Sequence, residues 1–228
     1  MTEEYAFYPY ISSLPEGKRF SIQQAEDFLL KKLDEGETIQ DRVIWDLVKF
    51  YSITGRPSKA IRYIQRLLKL AETTEAQAAL YLSLGQLLEQ LQDYDSAILC
   101  YSRALAMEPV NQQIWFLIHN NLGYCLNILG EFEDAEACLR EAIRIDPERH
   151  NAYKNLGIAL EGQGRSLEAV NCYVDAVRAN PYDPRALKLM ENLLDREKWI
   201  LAENPSLANR LKACQAVVHA ALLKKKKP

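Results

Sequence analysis

Long apolar runs are missing from this chain. The longest span only a few residues, as at Ile114 to Ile118, so no segment predicts a bilayer crossing. Cysteine is scarce, odd in number and without CxxC spacing, which excludes a disulfide framework or zinc site and predicts a reducing, cytoplasmic setting. With only nine glycines and nine prolines in 228 residues, a loop-rich all-β fold is excluded and long helices are favoured. An excess of positive charge is absent too: 28 Lys and Arg stand against 31 Asp and Glu, a net charge of −3. No nucleic-acid partner is therefore expected. Met1 to Tyr10 carry two glutamates and no basic residue, unlike a secretory signal peptide.

What is present is an ordinary globular composition, 48% hydrophobic and 26% charged, and a repeat within it. Gly123 and Gly157 lie 34 residues apart. Aligning on them superposes Ala135 on Ala169, Ala142 on Ala176, and Pro147 on Pro181. Gly85 opens an earlier copy with Ala97, Ala104 and Pro109. Its distance to Gly123 is 38 residues, so four are inserted after Pro109. Three units thus begin at Ala78, Phe116 and His150.

Each unit reads as two helices. The first carries large residues three and four apart: Tyr81, Leu84, Leu88; His119, Leu122, Leu126; Tyr153, Leu156, Leu160. Breaks follow at Gln92-Asp93, Gly130 and Gly164. The second helix carries Ala97, Tyr101, Ala104; Ala135, Leu139, Ala142; Ala169, Tyr173, Ala176. A terminal proline stops each unit, because its ring and missing N–H break a helix. Small residues at fixed places let two backbones approach, and a large residue opposite fills the gap.

This pattern resembles the tetratricopeptide repeat family, with its aromatic, Leu-Gly, alanine, aromatic, alanine and proline over one unit. Tyr153, Leu156, Gly157, Leu160, Gly164, Ala169, Tyr173, Ala176 and Pro181 follow it closely. The resemblance implies an all-α, right-handed superhelical solenoid of helix-turn-helix repeats with capping helices.

The organisation expected is one continuous domain. Residues 1–37 are an aromatic arm and capping helix (Ser21 to Leu33), and 38–77 a degenerate first repeat. There Ile44, Leu47, Tyr51, Gly55, Ala60, Ile64 and Leu67 keep the frame while Val48 replaces the glycine. Residues 78–115 are repeat 2 with the inserted turn, 116–149 repeat 3, and 150–183 repeat 4. Residues 184–228 hold capping helices (Pro184 to Glu197, then Leu207 to Leu223) and a lysine tail. The insertion reads as a longer first helix that takes in Trp115.

Reaction chemistry is missing. There is no GxxxxGK[ST] loop and no HExxH, and Gly162-Gln163-Gly164 is a helix turn rather than a dinucleotide fingerprint. His119, His150 and His219 are far apart in the repeat frame. Cys100, Cys138 and Cys172 share one repeat position, but neighbouring repeats lie about 20 Å apart, too far for shared ligands. They read as packing residues, as do Cys125, Cys214 and His119. No catalytic residue, cofactor or metal site is expected.

Function is then expected on the surface. In the resembled family the first helices line a concave groove that holds extended peptides. Carrying over the family's contact positions gives Leu82, Ser83 and Gln86; Leu117, Asn120, Asn121, Tyr124 and Asn127; Asn151, Lys154, Asn155 and Ile158; and Arg185, Lys188 and Asn192. Of these, Gln86, Asn121, Tyr124, Asn127, Asn151, Lys154, Asn155, Arg185, Lys188 and Asn192 are the candidate peptide-binding set. An amide both donates to and accepts from a peptide group, so an asparagine row suits an extended chain. It is similar to the asparagine ladder of O-linked N-acetylglucosamine transferases. The other reading is that these amides bond neighbouring helices. The clamp that chaperone adaptors close on a C-terminal carboxylate matches only at Asn121 in one frame. Shifted by one unit, it matches at Asn155 and partly at Arg185. Chaperone tails are therefore disfavoured, while Lys154, Arg185 and Lys188 favour an acidic ligand.

The expected function is a non-catalytic adaptor or scaffold that binds an extended segment of another protein, without membrane insertion. The alternative is a structural subunit that self-associates, for example as a homodimer, through its terminal helices. Leu207, Leu211, Cys214, Val218 and Ala221 would form its seam. The arm bearing Tyr5, Phe7, Tyr8 and Tyr10 reads either as a docking strand or as an unordered start. Lys224 to Lys227 read as a solvated tail, and otherwise as a contact for anionic lipid or nucleic acid.

Overall fold

The structure is a computed structural model that describes residues 3–35 and 40–225. Among the described residues it is all-α, with twelve helices that pair as helix-turn-helix hairpins. Its contacts fall into two units, Met1–Pro109 and Val110–Pro228.

The first unit contains α1 (Ile22–Asp34), α2 (Gln40–Ile53), α3 (Pro57–Leu70), α4 (Thr74–Gln90) and α5 (Tyr94–Ala106). Ser21 caps α1 in a box with Gln24, satisfying two end groups reciprocally. The aromatic arm docks on its own unit. Phe7, Ile11 and Leu14 are buried in the core that α1 to α3 share, and the Phe7 ring meets Phe50 edge-on at 5.4 Å. Asp46 is only 1% exposed, and it accepts from Ser12 Oγ at 2.9 Å and Ser13 N at 2.6 Å. That carboxylate fastens the arm to α2. Tyr5, Tyr8 and Tyr10 remain exposed.

A second buried carboxylate ties α1 to the α2–α3 turn. Glu26 accepts from Tyr51 Oη at 2.9 Å and Lys59 Nζ at 2.8 Å, and it pairs with Arg56. Burial alone would raise its pKa. The bonds from Lys59, Arg56 and Tyr51 outweigh burial and hold it at about 2.

The small repeat positions do what their size requires. A Cβ on Gly85 would sit 2.4 Å from the Tyr101 ring, and one on Gly157 equally close to Tyr173. On Gly123 it would meet Leu139 at 2.5 Å. In the degenerate repeat, Val48 replaces the glycine, and the residue sixteen positions on is Ile64 instead of a ring. Both are buried in one core, so a larger residue on one helix is met by a smaller one on the other. The alanines at the hairpin contacts (Ala60, Ala97, Ala135, Ala169) are fully buried.

The second unit contains α6 (Gln112–Leu129), α7 (Phe132–Ile145), α8 (His150–Gly162), α9 (Ser166–Ala179), α10 (Arg185–Arg196), α11 (Trp199–Glu203) and α12 (Ser206–Lys225). The inserted residues lengthen the first helix, as the spacing predicts: α6 has 18 residues and α8 has 13. Asn111 caps α6, its side chain accepting from Gln113 N and Ile114 N. The short α11 between the capping helices is an addition to the sequence reading. Lys226 and Lys227 of the tail lie outside the described residues.

The stripe expected as a dimer seam is turned inward. Leu207, Cys214, Val218 and Ala221 of α12 are buried, and α12 packs on α9 and α10. Its stripe caps the last repeat and leaves Val217 and Leu223 exposed.

Candidate functional site

In the second unit the first helices α6 and α8 pack side by side, and side-chain bonds tie α10 to α8. Asn155 Nδ2 donates to Asn120 Oδ1 at 3.2 Å, and Asn127 Nδ2 to the Asn155 carbonyl at 2.9 Å. These bonds join α8 to α6. Arg196 of α10 pairs with Glu161 of α8 at 2.6 Å, and Asp183, just before α10, meets His150 Nε2 at 3.1 Å. The layer is held at both ends of α8.

Asn127 has a readable cause. In the repeats that carry a tyrosine on the second helix, a glutamate twelve residues earlier accepts from its hydroxyl. Tyr173 donates to Glu161 at 2.8 Å, and Tyr101 to Glu89. In the middle hairpin the tyrosine is Leu139, with no hydroxyl to receive, and the glutamate is replaced by Asn127. That amide bonds the next repeat's backbone instead.

The candidate set therefore divides. Asn127 and Asn155 are buried and bonded between helices, 8% and 3% exposed. Asn120 is also buried, bridging Asn155 and Asn121. Asn121, Tyr124, Asn151 and Lys154 are partly buried, and Arg185, Lys188 and Asn192 are exposed. Gln86 is exposed on α4 and belongs to the first unit. The Oδ1 atoms of Asn127, Asn151 and Asn155 are buried without a hydrogen-bond partner.

The charges of this layer are unevenly paired. Arg185 reaches Asp183 with both Nε and a terminal nitrogen, the latter at 2.6 Å. That guanidinium holds the Asp183 carboxyl well below the usual carboxylate range, with His150 adding to the effect. No repeat rule marks Asp183 as functional; its one sign in the sequence is its place two residues before Arg185, at the close of an Asn-Pro turn. Lys154 has no carboxylate within ion-pair distance among the described residues. Burial lowers its pKa, and Arg185 lowers it further.

Among the described residues no disulfide joins the cysteines. Burial pushes the Cys138 and Cys172 thiols up to about 11, which favours the protonated form at neutral pH. His119 stacks on Trp115 at 5.4 Å with both ring nitrogens buried and unpartnered.

The family described as the cilia and flagella-associated protein 70 C-terminal domain matches residues 11–226. The chain belongs to this tetratricopeptide repeat family. The tetratricopeptide repeat-containing protein trd-1 of Caenorhabditis elegans is 25% identical over 158 residues, 68% of this chain and 20% of that protein. The small glutamine-rich tetratricopeptide repeat-containing protein 2 of Mycosarcoma maydis is 30% identical over 128 residues, 56% of this chain and 34% of that protein. The chain thus matches only 20% and 34% of the length of these two relatives. Among solved structures, MamA from Desulfovibrio magneticus RS-1 matches with a TM-score of 0.61 at 17% identity, over 82% of this chain and 97% of that one. YrrB, titled a TPR protein with an unusual peptide-binding site, matches with a TM-score of 0.57 at 19% identity, over 75% and 84%. These likenesses establish a tetratricopeptide repeat fold.

Proposed function

We propose that this chain is a non-catalytic adaptor whose second unit binds an extended segment of a partner protein along α6, α8 and α10. The observation that supports it most is the unspent polar capacity of that layer. Asn121, Asn151 and Lys154 stand on adjacent first helices, and the side-chain Oδ1 of Asn151 has no partner. An extended chain offers its backbone N–H and C=O groups to such side chains without demanding a sequence. YrrB, described as a TPR protein with an unusual peptide-binding site, shares the fold and lends the reading support. No helix among the described residues is long and apolar enough to cross a membrane. The family name refers to cilia and flagella, and we extend a cytoplasmic, ciliary setting to this chain.

The test must spare Asn155, whose loss would disturb the α6–α8 packing. Peptides selected from a displayed library against the full chain should lose about tenfold in affinity on Asn121→Ala with Asn151→Ala, one or two hydrogen bonds' worth. Fluorescence anisotropy reads this directly. Unchanged affinity in a variant that keeps its melting temperature would remove the groove.

A further inference from the structure

We propose that Lys154, partly buried on α8 near the Arg185–Asp183 pair, receives a glutamate or aspartate side chain of the bound segment. The inference rests on the groove reading above and names the chemistry of its ligand. Three observations carry it. Lys154 is partly buried on the inner face of α8, and no carboxylate of the described chain reaches it. Its near neighbours do not balance it: Asp183 is already committed to Arg185 at 2.6 Å and to His150 at 3.1 Å. Beside it, the Asn151 Oδ1 is an unused acceptor one helical turn away. A partly desolvated ammonium without a counter-charge is costly, and the missing partner is a carboxylate brought by the ligand.

The carboxylate is a side chain rather than a chain end. The positions that the chaperone-tail clamp uses are largely occupied here by other residues, Leu189 among them. Lys154 also sits mid-layer, with α6 on one side and α10 on the other, where an extended chain would pass through.

The experiment uses the full chain and end-capped, fluorescein-labelled peptides in matched pairs, with glutamates in one and glutamines in the other. A charge-assisted bond predicts at least about tenfold tighter binding of the glutamate peptide. Lys154→Met should bring the pair within about twofold, whereas Lys154→Arg should keep the preference. A glutamine peptide with a free C-terminal carboxylate should stay as weak as its capped form. In unmutated protein labelled at the lysine Nζ, the Lys154 signal should titrate at higher pH with the glutamate peptide than with the glutamine one.

Equal binding of the two peptides, both weakened by Asn121→Ala with Asn151→Ala, would overturn the acidic specificity and leave the groove in place. A preference that survives Lys154→Met, or recovery by the free C-terminus, would overturn it as well. Binding untouched by the asparagine pair would overturn the groove reading and, with it, this one.

Discussion

His119 occupies a repeat position where an aromatic is expected, and it behaves as a ring rather than as a base. It stacks on Trp115 with an interplanar angle of 11°. Burial lowers its pKa; of the charges facing it from α7, Arg144 lowers it and Glu141 opposes. The folded pKa lies below the unfolded one, so the unfolded chain binds the extra proton. Stability from this residue is present above about pH 6.5 and falls as the pH drops below it. Replacing the ring by one without nitrogens removes two unsatisfied polar atoms. His119→Phe should therefore stabilise the fold by about 1 kcal/mol. It should also flatten the loss of stability between about pH 7 and about pH 5. Denaturant melts across that range check both, and a variant less stable than the parent at neutral pH would contradict the packing role.

At the scale of the hairpin, one turn position recurs with a left-handed backbone. Gly55, Gly130 and Gly164 have φ of 69°, 83° and 76°, and Gln92 takes the same place with φ 59°. A side chain there costs about 1–2 kcal/mol, which glycine avoids at some expense in chain entropy. Gln92→Gly should raise the stability of the α4–α5 hairpin by about 0.5–1 kcal/mol. A melting temperature equal to or below the parent's would show that the Gln92 side chain holds the turn in some other way. The repeat was legible in the sequence because its rules are local. A glycine opposite a large residue, a break fifteen residues in and a closing proline each leave a fixed mark. For Asn127 and Asn155 the sequence left two readings open, contact with a peptide or a bond to a neighbouring helix. Nothing in an asparagine's neighbours along the chain says whether its amide will meet solvent or the next helix.

For the molecule as a whole, α12 decides between two readings of the C-terminal stripe. It packs on α9 and α10, with Cys214 buried beside Val174 and Val177 and Val218 buried one turn on. Deleting residues 206–228 should expose that face, lower the melting temperature and make light scattering rise with concentration. A parent that is dimeric and becomes monomeric on deletion would instead favour self-association through the terminal helix.

Periodicity alone determined the class of fold, the hairpins and their order, and the longer α6. All of these follow from steric rules between residues close in sequence. Tertiary structure decided which polar groups are spent. It turned the aromatic arm and the α12 stripe inward, used Asn127 and Asn155 to join helices, and left Lys154 without a counter-charge. Such outcomes depend on which distant side chains arrive within hydrogen-bond reach, and one-dimensional spacing does not encode that distance.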